Sequence, residues 1–184
     1  MVARYGVLVV VGGALAVACH RAPPPAPPPP PTVLVAPPDT PPPRRVTRRD
    51  GALTAAERDS IVREAQVRRA AWRARHITDY SIRVAVGCFC PWPQTPAILE
   101  VRGGVATALR DTTGRAFGKV REPWSTYTVE GLFDSVEQSA QHSDVVEVTY
   151  DGPLGYPTYI RGTGRLGLPD NWFWVRATRL TPRR

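Results

Sequence analysis

The chain has 184 residues and a formal charge of +8, from 24 basic and 16 acidic side chains. Of its 21 prolines, thirteen fall between Ala22 and Arg44. A stretch so rich in proline lacks the apolar side chains and backbone donors that a packed core needs. Ordered structure is therefore expected in residues 51–184, which have room for one ordinary domain and exclude a large multi-domain enzyme.

Met1–Ala18 reads as a secretory signal peptide. Arg4 supplies the positive start, and Val7 to Ala18 is an apolar run softened by Gly12 and Gly13. That run is too short to span a bilayer, which takes about 20 residues. It ends in Ala16-Val17-Ala18-Cys19, which resembles the lipobox of bacterial lipoproteins. In that class the cysteine is acylated through its sulfur and becomes the mature N-terminus. The usual leucine three residues before the cysteine is Ala16 here, with Leu15 one step earlier. Cys19 is thus the expected lipid-attachment site and the membrane an expected partner. The resemblance further implies a cell-envelope location, on the outer membrane facing the periplasm. His20 is not the aspartate that marks inner-membrane retention in enteric-type lipoproteins.

Residues 19–50 form the expected tether. Proline runs adopt extended polyproline II, so some 20 residues at about 3.1 Å each would hold a domain roughly 60 Å from the membrane. Arg44, Arg45, Arg48 and Arg49 suit a solvated linker close to anionic headgroups. They do not form the basic stripe with aromatic or helical readers that nucleic acid requires, so no nucleic-acid partner is expected.

Residues 53–76 read as a helix. Thr54-Ala55-Ala56-Glu57 has capping-box form. Ile61, Ala65, Arg68 and Trp72 recur on one face, leaving Arg63, Arg69, Arg73 and Arg75 for water. After Asp79, Tyr80, Ile82, Val84 and Val86 alternate with Ser81, Arg83 and Ala85, the pattern of a half-buried strand. Pro91, Pro93 and Pro96 make a rigid loop. Ile98–Arg102 and Val105–Leu109 flank Gly103-Gly104 as a hairpin. Residues 111–127 read as irregular, anchored by Phe117 and Trp124. Thr128 caps a second helix whose buried face is Val129, Leu132, Phe133, Val136 and Ala140. Val145–Tyr150 is a strand, Asp151–Gly155 a turn, Thr158–Arg161 the hairpin partner and Trp172–Leu180 a last strand. The expected fold is α+β, in the order α-β-β-β-α-β-β-β, with an antiparallel sheet and helices on one face.

Cys88 and Cys90 lie in Gly87-Cys88-Phe89-Cys90-Pro91. Residues i and i+2 of an extended strand are about 6.5–7 Å apart, whereas a disulfide wants Cβ atoms about 3.5–4.5 Å apart. A bond between the two therefore needs the chain to turn at Phe89, which Gly87 and Pro91 allow. A structural disulfide is the preferred reading. Thiol exchange, a soft metal on two thiolates and inert free thiols are the alternatives. Metal binding would want further ligands, and the domain offers only His76 and His142 besides, so no metal site or cofactor is assigned.

No catalytic constellation stands out. Asp144, Asp151 and Asp170 fall where aspartate forms turns, and Glu147 falls on a strand face. Gln141-His142-Ser143 lacks a nucleophile elbow, and there is no P-loop, dinucleotide fingerprint or His-Glu-x-x-His. Trp172 and Trp174 share one face of the last strand, with Phe173 and Val175 on the other. Together with Tyr156 they are the candidate binding surface.

Four elements then occur in order: Trp72 with Ile77-Thr78-Asp79-Tyr80-Ser81; Cys88-Phe89-Cys90-Pro91; Thr128 to Phe133; and Tyr150-Asp151 with Leu154-Gly155-Tyr156-Pro157. The set resembles a family of uncharacterised bacterial lipoproteins, known only as a domain of unknown function, over roughly residues 68–180. The resemblance implies a secreted or lipid-anchored α+β domain with a Cys-x-Cys strand end, and brings no catalytic residues with it. Relatives tend to carry an acid just after the strand that follows the Gly-Tyr-Pro turn, where this chain has Gly162-Thr163-Gly164. The expected function is that of a non-enzymatic, lipid-anchored envelope module that contacts an unidentified envelope protein or component. The rival expectation is a thiol-based redox or metal role for Cys88 and Cys90.

Overall fold

The computed structural model describes residues 51–89, 95–117, 119–164 and 170–183. The signal peptide, Cys19, the tether, Cys90, Pro91 and Pro93 lie outside the described residues. The chain divides into Met1–Val33 and Leu34–Arg184, and the described residues all belong to the second unit.

Helix α1 spans Ala55–Arg73. Its capping box forms: the Thr54 hydroxyl accepts from the Glu57 N–H, and the Glu57 carboxylate accepts from the Thr54 N–H at 2.7 Å. Ile61, Ala65, Arg68 and Trp72 are its buried residues. The second helix, α2, spans Val129–His142 behind its cap Thr128. Val129, Leu132, Phe133, Val136 and Ala140 are all fully buried. A single 3₁₀ turn, Trp124–Thr126, precedes α2. The domain is α+β, with six strands in one antiparallel sheet: β1 Tyr80–Cys88, β2 Ala97–Arg102, β3 Val105–Asp111, β4 Val145–Tyr150, β5 Pro157–Thr163 and β6 Trp172–Pro182.

The strands lie in the order β3-β2-β1-β6-β5-β4. Each half is a meander whose neighbours are joined by short connections. At Gly103 and Gly104, φ is +55° and +79°, the left-handed pair that a two-residue hairpin demands. At the β4–β5 corner the Asp151 carboxylate accepts from the Leu154 N–H at 2.7 Å, and Gly155 adopts φ +76°. The halves meet where the first strand of one pairs with the last strand of the other. β6, the C-terminal element, is thus central.

Strand alternation gives the sheet one apolar face. Ile82, Val84 and Val86 of β1, Leu99 of β2, Val146 and Val148 of β4, Ile160 of β5, and Val175 and Ala177 of β6 form it, each no more than 2 % exposed. The helices cover this face. Trp72 of α1 packs edge-on against Tyr80, with ring centroids 5.8 Å apart, and against Tyr156 at 6.3 Å. Tyr80 also reaches α2: the Val129 N–H, one of the donors a helix start leaves unpaired, donates to the Tyr80 hydroxyl oxygen at 2.8 Å.

Several expectations change once the helices pack together. Arg69 does not stay in water. Its guanidinium sits against Glu130 at 2.7 Å, Asp134 at 2.5 Å and Glu137 at 3.3 Å, the three acids that α2 presents one turn apart. Arg75 is half-buried and donates to the Pro153 carbonyl at 2.8 Å. Arg68 is more than a stem lying beside Trp72. It is only 2 % exposed, pairs with Glu64 at 3.0 Å and stacks 4.2 Å from the centroid of Tyr150. Phe117 is 49 % exposed and does not join the core. Its backbone N–H donates to the Leu109 carbonyl, which holds it along the edge of the sheet, and Trp124 is the anchor of that region instead. The first helix is shorter than residues 53–76, and β1, β5 and β6 are each longer than their patterns predict.

Candidate functional site

Among the described residues, no helix covers the second face of the sheet. On it the register sets side chains in rows. Glu147 of β4, Arg161 of β5, Trp174 of β6 and Gly87 of β1 are successive cross-strand partners. Thr149, Tyr159, Arg176 and Ala85 form the adjacent row, and Thr178 opposite Arg83 begins a third. Directly paired side chains on one face touch, so the rows make a continuous shelf. The groove along its β4–β6 side has a volume of ≈ 530 Å³, lined by Glu147, Thr149, Thr158, Tyr159, Arg161, Arg176 and Thr178.

A glycine on β1 shapes the shelf. A Cβ on Gly87 would lie 2.2 Å from the Trp174 indole nitrogen and 2.3 Å from Cε2, so the indole lies across bare backbone. Glycine inside a strand marks such a close approach. Arg176 stands between two rings, its guanidinium carbon 5.7 Å from the Tyr159 centroid and 5.9 Å from that of Trp174, within cation–π reach of both. Arg161 and Arg176 are exposed, and Arg83 is half-buried. Among the described residues none of these three makes an ion pair, whereas Arg58, Arg68, Arg69, Arg73, Arg102, Arg110 and Arg183 all do. Glu147 is 9 % exposed and sits at the β4 end of its row.

Trp172 and Trp174 lie on this open face, as alternation predicts, and both are half-buried. Tyr156 does not join them. It is 3 % exposed and packs under Trp72, because the Asp151–Tyr156 turn folds its ring toward the helices. Burial pushes its hydroxyl pKa up to about 12. The third aromatic of the shelf is Tyr159. The i, i+2 pairs Tyr159/Arg161 and Trp174/Arg176, each an aromatic followed by an arginine on the same strand face, were the sequence signal for it.

Phe173 points the opposite way, toward Gly162 and Ser143 on the helix-covered side. There a second cleft, ≈ 350 Å³, opens beneath α2 between Tyr127, Gln138, His142, Ser143 and Phe173. Its polar groups are largely committed to the helix: the Ser135 and Ser139 hydroxyls donate to the carbonyls of Gly131 and Ser135, one turn back. His142 is exposed at the helix end and Ser143 is buried.

Cys88 is the last residue of β1, opposite Phe173. It is held in a disulfide, and Phe89 beside it is 77 % exposed. Of the acids considered for a carboxylate site, Asp144 pairs with Arg58 at 3.9 Å and Asp151 caps its turn. Among the described residues no three His, Cys, Asp or Glu side chains gather as a metal-ligand set, and no helix is long and apolar enough to cross a membrane.

No curated protein and no solved structure matches this chain. A family model described as a family of unknown function, DUF6174, matches residues 64–161. The match begins inside α1 and ends within β5, so β6, with Trp174 and Arg176, lies beyond it. The chain belongs to the DUF6174 family.

Proposed function

We propose that this protein is a lipid-anchored component of the bacterial cell envelope, held at the outer membrane through Cys19, and that its folded domain is a non-enzymatic binding module working through the open face of the sheet. The single observation that carries the binding reading is the placement of Trp174 over Gly87 with Arg176 between it and Tyr159. A large amphipathic ring kept at the surface of a sheet is the kind of group that binding surfaces enrich. The signal peptide, the lipobox-like Ala16–Cys19 and the proline tether support the anchor. Mass spectrometry of the mature protein, with membrane fractionation, tests it. An N-terminal acylated Cys19 in the outer-membrane fraction is the expected result. A soluble chain that retains residues 1–18 overturns it.

The competing reading is thiol-based. Cys88 closes a central strand beside an exposed phenylalanine, and a disulfide between Cys88 and Cys90 at such a site would be open to exchange. Thiol titration with and without reductant, together with metal analysis, decides between them. A pair that cycles at the glutathione poise, or binds metal when reduced, favours the thiol role. A pair that stays oxidised favours a structural bond.

A further inference from the structure

We propose that the open shelf binds an acidic oligosaccharide, one bearing carboxylates on its pyranose rings. The inference rests on the binding-module reading and gives that module its ligand class. The argument begins with shape. The groove is shallow and runs across strands rather than into the core, so it suits an extended polymer segment rather than an enclosed small molecule. The Trp174 indole occupies the space that a side chain on Gly87 would need. A flat indole presents a negative π face, which attracts the weakly positive C–H groups of a pyranose ring laid against it.

Charge then selects among ligands. Arg83, Arg161 and Arg176 lie on the open face and make no ion pair among the described residues. Arg161 and Arg176 flank Trp174, as its cross-strand partner and its i+2 neighbour. A guanidinium binds a carboxylate through two parallel N–H donors, so a sugar seated on the indole would place ring carboxylates within reach of both. The hydroxyls of Thr149 and Thr178 supply uncharged hydrogen-bonding groups along the same groove. Single-stranded nucleic acid also uses aromatic and basic platforms. Here, however, two arginines line the groove, Arg161 and Arg176, fewer than the continuous basic track along successive phosphates requires.

The test uses the full-length protein in detergent. Galacturonate oligomers, neutral maltooligosaccharides of matched length and a deoxythymidine oligonucleotide are titrated by calorimetry at two salt concentrations. The expected result is binding of the galacturonate oligomer at least tenfold tighter than the neutral one, weakened by salt. Arg176→Gln and Arg161→Gln should each lower that affinity at least fivefold, and Trp174→Ala should abolish it, with Arg63→Gln on the helical face neutral. Because Trp174→Ala also bares Gly87, the two arginine variants, both at exposed positions, carry the decision if it misfolds. No binding, equal binding of the neutral sugar, tighter binding of the oligonucleotide, or arginine variants without effect would each overturn the proposal. Those outcomes leave Cys19 acylation and membrane fractionation untouched, so a failure of the ligand class is separable from a failure of the anchor.

Discussion

Trp174 and Gly87 are cross-strand partners in the centre of the sheet, and the indole fills the space that a side chain on Gly87 would need. Their neighbours on the other face repeat the device: Phe173 lies over Gly162, where a Cβ would come within 2.4 Å of its ring. Consecutive aromatics of β6 thus rest on glycines of the two flanking strands. Each covers backbone that glycine leaves bare, as aromatics do for glycines in designed sheets.

Gly87→Ala should lift the indole from the sheet. The obstructing atoms belong to a side chain, so the ring can yield, and the expected cost is modest, about 1 kcal/mol. Near-ultraviolet circular dichroism should change while the urea midpoint moves little. An unchanged aromatic spectrum would show that the ring does not depend on the glycine.

Gly131→Ala should behave in the opposite way. Alanine raises helix propensity by about 1 kcal/mol over glycine. At this position, though, its Cβ would lie 1.8 Å from the Thr126 carbonyl oxygen, and backbone cannot swing aside. The 3₁₀ turn and the start of α2 would have to separate. Net destabilisation of about 2 kcal/mol is expected. A variant more stable than the parent in urea would refute the close approach.

Tyr80→Phe removes the acceptor for the Val129 N–H and should cost about 1–3 kcal/mol, the penalty for an unpaired buried donor. The same hydroxyl makes the fold sensitive to alkali. Burial pushes Tyr80 and Tyr156 each up to about 12 from 10.0, and pushes Tyr150 higher still. The unfolded chain ionises first, so the stability these groups contribute is complete below pH 10 and is lost as pH rises toward about 12. Phenolate absorbance and ellipticity followed on one alkaline titration should change together for these residues.

Arg69→Gln should weaken the α1–α2 pairing in an acid-dependent way. Burial pushes the Glu130 carboxyl up, but hydrogen bonds and charge from Arg73 and Arg69 outweigh it and hold the group below its ordinary value. Glu100 is held low chiefly by its hydrogen bond to Arg110. A depressed carboxylate contributes stability that is present above the unfolded value and lost as pH falls through the folded one. The difference in urea midpoint between parent and Arg69→Gln should therefore be largest near neutrality and shrink in acid and in high salt. A difference that stays constant across that range would count against the ion-pair clamp.

The local elements were legible in the residues. The Thr54–Glu57 capping box, the i, i+3, i+4 spacing of α2, the period of two in β1 and the paired glycines of the first hairpin each reflect backbone geometry acting over a few positions. Their physics is short-range and leaves a trace in the order of amino acids. Tyr156 shows where such reading stops. A Gly-Tyr-Pro turn says that the chain bends, and says nothing of the side on which the ring will find cover. Arg69 shows the same for charge, since its three acidic partners are some 60 residues away in the sequence and meet it only because two helices pack.

Composition and short-range pattern were enough to specify an α+β domain, with most of its core residues named in advance. Long-range register was not encoded in that way. Which strand neighbours which depends on the free energy of the whole assembled sheet, and this places the last strand at its centre beside the first. From that adjacency come the indole over Gly87, the arginine between two rings and an open face assembled from residues far apart in the chain.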